Sequence, residues 1–117
     1  MKKVLCFDLD NVICATRGNN YQRSKPKKKA IKLINQLYNE GHTIKIFTAR
    51  FMGRNNDNIQ KAKIKGYKFT LKQLEKWKLN YHKLIFGKPS FDIYIDDKSL
   101  FFKENWLNAL KKKVKNK

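Results

Sequence analysis

The sequence predicts an α/β domain built on a parallel sheet, and three features point to it. Short apolar runs, Val4–Phe7, Thr43–Phe47, Leu84–Phe86 and Ile93–Ile95, read as strands. Stretches of helical periodicity alternate with them, as βαβ units require. Polar residues follow each run: Asp8 and Asp10, Thr48, Lys88, then Asp96 and Asp97. Ligand sites of open parallel sheets lie outside the carboxyl ends of the strands, where these residues sit.

Taken in order, Val4, Leu5, Cys6 and Phe7 form an apolar run without alternation, expected to be buried on both faces. Residues 15–25 are polar and read as a short flap. Pro26 fits a first helical turn, where its missing N–H costs nothing. Ala30, Ile31, Ile34, Leu37 and Tyr38 share a helix face, and Gly41 stops that helix. TIKIF follows as the second strand, ending at Thr48-Ala49-Arg50. FMGRNNDN is a loop by its Gly and Asn content. Asp57 then caps a short helix ending near Gly66, and Thr70 to Gln73 reads as a capping box for another helix. The Leu84–Phe86 strand precedes Gly87-Lys88-Pro89, and Ile93–Ile95 is read as a buried strand ending in Asp96-Asp97. Asp92, opening that strand, reads as a surface turn residue. Ser99 opens a last helix with Phe102, Trp106, Leu107 and Leu110 inward, and residues 111–117 form a basic tail. With no repeat and no linker, residues 1–117 are one domain.

At 117 residues the chain can bury roughly two-thirds of its unfolded surface around a single core. It has no apolar run of membrane-spanning length. An acid pair interrupts the first apolar stretch too soon for a signal peptide. Cys6 and Cys14 are therefore expected to be free thiols in a cytoplasmic protein. A net charge of +19 is the footprint of a nucleic-acid binder, yet 24 of the 28 basic residues are Lys. Phosphate-forking surfaces favour Arg. The charge is thus read mainly as background from biased composition, with weak, nonspecific nucleic-acid binding.

Asp8 and Asp10 at one strand exit would repel each other, so something positive should hold them. Four carboxylates, Asp8, Asp10, Asp96 and Asp97, offer the hard oxygen donors that suit Mg²⁺. A lysine and a hydroxyl at neighbouring strand ends can hold phosphate oxygens. Together these groups point to phosphoryl transfer through an aspartyl-phosphate. The competing structural role, acids as helix caps, accounts for one such pair more easily than for both.

The same residues carry a family resemblance. FDLDN, FTAR, GKP and YIDD occur in order, and the chain resembles the haloacid-dehalogenase-like phosphohydrolases over nearly its whole length. Within them it is most similar to the small capless capsule-biosynthesis phosphatases. The resemblance implies a three-layer αβα Rossmann-like core without a sizeable cap domain. It implies Asp8 as nucleophile, Asp10 as general acid/base, Thr48 and Lys88 as phosphoryl-binding groups, and Mg²⁺ held by Asp8, Asp96, Asp97 and the main chain of Asp10. One departure is Asn11-Val12 where the family has Gly-Thr. Asn tolerates a left-handed backbone, so the turn survives, but a supporting hydroxyl is lost.

Only residues 15–25 separate the first strand from its helix, enough for a flap and no more. An open site suits a large substrate or closure by a second subunit, as in a homo-oligomer. Tyr21 and Arg23 in the flap, with Ala49 and Arg50 after Thr48, are the substrate-binding candidates. His42 and His82 fall at the opposite strand ends and read as loop residues. Cys14, without an activating His, reads as packing, and Tyr94 and Trp106 read as core.

The function expected is a Mg²⁺-dependent phosphatase for a sugar phosphate or related phosphoester of polysaccharide biosynthesis. One alternative is a polynucleotide-end phosphatase, supported by charge alone. Another is a phosphoacceptor receiver domain, against which the late acid pair counts. The last is a non-catalytic basic nucleic-acid-binding module, which leaves the polar strand ends unexplained.

Overall fold

The computed structural model describes residues 1–115. Three parallel strands form the central sheet in the order β1 (Val4–Phe7), β4 (Thr43–Thr48), β5 (Lys83–Phe86). Two short strands, β2 (Cys14–Ala15) and β3 (Lys25–Pro26), pair antiparallel and make the flap a small hairpin. Pro26 thus belongs to this hairpin, and the first helix, α1 (Lys28–Asn39), begins two residues later. The other helices are α2 (Ile59–Lys76) and α3 (Trp106–Lys115). The expected basic tail is helical as far as Lys115; its last two residues lie outside the described residues.

Register explains which sheet face holds the core. Phe7, Ile46 and Leu84 lie abreast, as do Thr48 and Phe86, and all are buried. Ala30, Ile31, Leu33, Ile34 and Leu37 recur at helical spacing on α1 and join the same buried cluster. Gly41 ends that helix at φ +96°, a conformation costly for other residues, and its N–H donates to the Tyr38 carbonyl.

The opposite face carries Val4, Cys6, Thr43, Lys45, Phe47, Lys83 and Ile85, none of them buried. Two expectations are corrected here. β1 is an edge strand with Val4 63% exposed, not a strand buried on both faces, and among the described residues the sheet's opposite face buries none of its side chains. An apolar run four residues long does not distinguish a central strand from an edge.

Two predicted helices are one. α2 runs without a break through Gly66, and Asn58 caps it by accepting the Lys61 N–H at 3.0 Å. Asp57, expected as the cap, instead accepts from the Ser90 hydroxyl at 2.9 Å. Gly66 is a packing residue: a Cβ there would collide with the ring of Phe51. Gly66→Ala is therefore expected to destabilise the protein by about 1–3 kcal/mol, the usual cost of overpacking, despite Ala's better helix propensity. Urea unfolding checks this, and a variant as stable as the parent would contradict it.

Residues 91–105 depart furthest from expectation. Ile93–Ile95 is not a strand; Ile93 is 79% and Ile95 92% exposed. The segment folds on itself instead. Asp96 accepts the Lys98 N–H at 2.8 Å and the Tyr94 hydroxyl at 3.2 Å, and Tyr94 stacks on Phe91. Such local side-chain bonds compete with a sheet ladder. Tyr94 is therefore exposed rather than core, Asp92 opens no strand, and the last helix starts at Trp106 rather than Ser99. Trp106 and Leu110 are buried as expected, whereas Phe102 is half exposed. Among the described residues no helix is long and apolar enough to cross a membrane.

Candidate active site

The ends of β1 and β4 and the loop after β5 bring Asp8, Asp10, Thr48 and Lys88 together. Asp8 leaves β1 with Oδ1 accepting the Leu9 N–H at 2.8 Å and Oδ2 3.6 Å from Lys88 Nζ. The Lys88 N–H in turn donates to the Thr48 carbonyl at 3.2 Å, which ties the lysine loop to the end of β4. Phe91 and Tyr94 cover the ammonium, their ring centroids 5.5 and 4.9 Å from Nζ. Burial pushes the Asp8 carboxyl above its ordinary range, opposed by the Lys88 charge and the Leu9 N–H.

Asp10 has a different partner. The Arg50 guanidinium forks onto it, Nε 3.0 Å from Oδ2 and Nη2 2.9 Å from Oδ1. Thr16 adds a hydroxyl to Oδ1 at 2.6 Å. The two repelling acids are thus each answered by a cation, Lys88 for Asp8 and Arg50 for Asp10. Asn11 occupies the left-handed region at φ +68°, as the turn demands, and its side chain accepts the Thr16 N–H at 3.1 Å. Thr16, reached through the flap, supplies a hydroxyl to the second acid where the residue after Asn11 is Val12.

The substrate-binding candidates divide. Thr48 is fully buried, with Oγ1 accepting the Arg50 N–H at 3.1 Å. Ala49 is half-buried in the following loop. Arg50 is 1% exposed and spends its N–H groups inside the protein, so it is not a surface arm reaching for substrate. Tyr21 is packed between the guanidinium of Arg50, 4.8 Å away, that of Arg54, 5.3 Å away, and the Phe51 ring. It anchors the flap rather than offering a free face to a sugar. Arg23 is exposed in the single turn Tyr21–Arg23. Sequence reasoning missed Thr16, Ser24, Thr70, Gln73 and Arg54. For Thr70 and Gln73 a signal existed, since a spacing of three places both on one helix face, but it was read as a cap.

Mg²⁺ does not find its expected donors in this arrangement. Asp96 and Asp97 lie on the exposed segment, with Asp96 turned to Lys98 and Tyr94. Asp10 is occupied by Arg50 and Thr16. No group of three potential ligands gathers among the described residues. Hydrogen bonds from the Lys98 N–H and the Tyr94 hydroxyl hold the Asp96 carboxyl below its ordinary range.

The remaining polar residues fit supporting roles. His42 and His82 are more than loop residues: through Nδ1 they accept the N–H groups of Lys3 at 3.1 Å and Ile44 at 3.0 Å, at the strand starts. Both cysteines are free, and burial pushes the Cys14 thiol up, as a packing residue requires.

No protein-family model matches the chain, and no curated protein matches it. A crystal structure of a target protein from Vibrio cholerae is similar to it, with a TM-score of 0.78 and 27% identity. The alignment covers 98% of this chain and 100% of that one. The whole α/β arrangement is therefore shared with an experimentally determined fold.

Proposed function

We propose that the chain is a phosphatase of the haloacid-dehalogenase-like type, forming an aspartyl-phosphate on Asp8. The observation that carries this reading is the separate pairing of the two acids. Asp8 is the more accessible carboxylate, its side chain 37% exposed against 21% for Asp10, and it has a lysine beside it. In the first step an Asp8 oxygen attacks phosphorus, the bond from phosphorus to the leaving oxygen breaks, and Asp10 gives that oxygen a proton. In the second, water attacks phosphorus, the Asp8–phosphorus bond breaks, and the water proton passes to Asp10. In the first step Lys88 offsets the repulsion between the Asp8 carboxylate and the anionic phosphate. Mg²⁺, which the sequence resemblance implies, would need Asp96 or Asp97 beside Asp8, whereas both lie on the exposed segment.

The substrate proposed is a phosphorylated sugar or related phosphoester of polysaccharide biosynthesis. The flap, closed by β2 and β3, is too short to enclose a ligand, and an open site suits a sugar-linked phosphate. The +19 charge favours a second reading, a polynucleotide-end phosphatase. A screen of purified protein, with Mg²⁺ and with a chelator, against sugar phosphates, nucleotides and 3′-phosphorylated DNA tests both. Turnover of a sugar phosphate is expected; no phosphate release from any substrate would end the phosphatase reading.

Salt separates the two readings further. DNA binding through about six or more phosphate contacts would weaken about 10³-fold or more between 50 and 200 mM salt. A sugar phosphate engages only the site, so its KM should change modestly over the same range. The expected result is weak, salt-sensitive DNA binding without selective removal of terminal phosphates. Efficient end dephosphorylation of DNA or RNA at physiological salt would promote the second reading.

A further inference from the structure

Among the described residues Arg50 is the one fully buried cation beside the site, and its contacts reach three separate parts of the chain. Nε and Nη2 fork onto Asp10. Nη1 donates to Gln73 Oε1 at 2.6 Å and lies 3.4 Å from the Thr70 hydroxyl, both on α2. Nη2 also reaches Ser24 Oγ in the flap at 3.3 Å. Its own main-chain N–H is fixed by Thr48 Oγ1 at 3.1 Å. Gln73 closes the loop by donating to the Tyr21 carbonyl at 2.7 Å, and the Tyr21 ring covers the guanidinium.

We propose that Arg50 is a positioning residue: it fixes the Asp10 carboxylate for proton transfer and couples that carboxylate to the flap and to α2. The proposal rests on the phosphatase reading. A lone Asp side chain at a strand exit can rotate about two bonds. A fork held on its far side by Gln73 and Thr70 allows one orientation of the carboxylate plane. The lone pairs that Arg50 and Thr16 leave free are then held toward the site. Burial also separates this role from substrate binding, since a guanidinium with no exposed side-chain surface has no face left for a phosphate. Lys in its place keeps a charge but lacks the planar fork, so it cannot reproduce the geometry.

The test compares p-nitrophenyl phosphate, whose leaving group needs no proton, with an alkyl phosphate, whose leaving group does. Wild type, Arg50→Lys, Arg50→Met, Asp10→Asn and the double variant Asp10→Asn/Arg50→Lys are measured, with thermal melts confirming folded protein. Arg50→Lys and Arg50→Met are expected to lower kcat/KM on the alkyl phosphate, which reports the steps up to leaving-group departure, about 10²-fold, the loss typical of a misplaced catalytic group. The loss on p-nitrophenyl phosphate should be far smaller. Adding Arg50→Lys to Asp10→Asn should cost nothing more, because the two act as one unit. Where the Arg50 variants fail to fold, Gln73→Met carries the test. It removes the 2.6 Å anchor without touching Asp10, and about a tenfold loss confined to the alkyl substrate is expected. Equal losses of kcat/KM on both substrates, or losses that multiply in the double variant, would overturn the positioning role alone. A wild-type protein inactive on every phosphomonoester would overturn the phosphatase reading and this proposal with it.

Discussion

Asp8→Asn is expected to abolish turnover while making the protein more stable at neutral pH. Removing a covalent nucleophile costs about 10⁴-fold or more in kcat, since the remaining groups have no intermediate to act on. The stability effect follows from where the carboxylate sits. Burial raises its folded pKa above the ordinary carboxylate range, and Lys88 with the Leu9 N–H only partly opposes this. The folded protein then holds the Asp8 proton more tightly than the unfolded chain does. Stability from this group is present in acid and is lost as pH rises through the folded value. At neutral pH the ionised Asp8 is a net cost that Asn lacks, while Asn still accepts the Leu9 N–H. Melting curves at a series of pH values should place the variant above wild type at neutral pH, with the gap closing toward acid. A variant less stable than wild type at neutral pH would show that the ion pair with Lys88 outweighs the burial.

Lys88→Met is expected to lower kcat by about 10²-fold or more, the scale of removing one electrostatic stabiliser from a site. The Lys88 side chain is 12% exposed under Phe91 and Tyr94 and its ammonium faces Asp8, so its charge is little screened by water. Thr48→Val should slow turnover less, because it deletes a neutral hydrogen bond. It should nevertheless cost about 1–3 kcal/mol of stability, since the buried Arg50 N–H loses its acceptor. Steady-state kinetics and urea unfolding of both variants check the pair. A larger kcat loss for Thr48→Val than for Lys88→Met would contradict the roles assigned here.

The parts of this protein that were legible in the sequence are those fixed by local pattern. The helix of α1, the strand of β4 with Ile44 and Ile46 inward, and the placement of Asp8, Asp10, Thr48 and Lys88 at strand ends all follow from periodicity and turn residues. Asn11 in a left-handed turn was legible for the same reason. What was not legible depends on partners distant in sequence. Whether β1 is central depends on a neighbour beyond it, and Val4 to Phe7 carry no sign of one. Ile93-Tyr94-Ile95 has the composition of a strand, yet an Asx turn at Asp96 and the stacking of Tyr94 on Phe91 hold it elsewhere. Gly66 was read as a stop because its use, making room for Phe51, lies fifteen residues away in the chain. Arg50 reads in the sequence as a substrate-binding candidate because three of its partners, Asp10, Ser24 and Gln73, come from other elements.

Acid-quench trapping during turnover tests the central claim most directly. Protein mixed with a phosphomonoester it turns over, quenched in acid and digested, is examined by mass spectrometry for an added phosphoryl group. The mass is expected on the N-terminal peptide at Asp8, labile to hydroxylamine, and absent from Asp8→Asn. Turnover with no phosphorylated peptide, or with the phosphoryl group on another residue, would contradict an aspartyl-phosphate on Asp8.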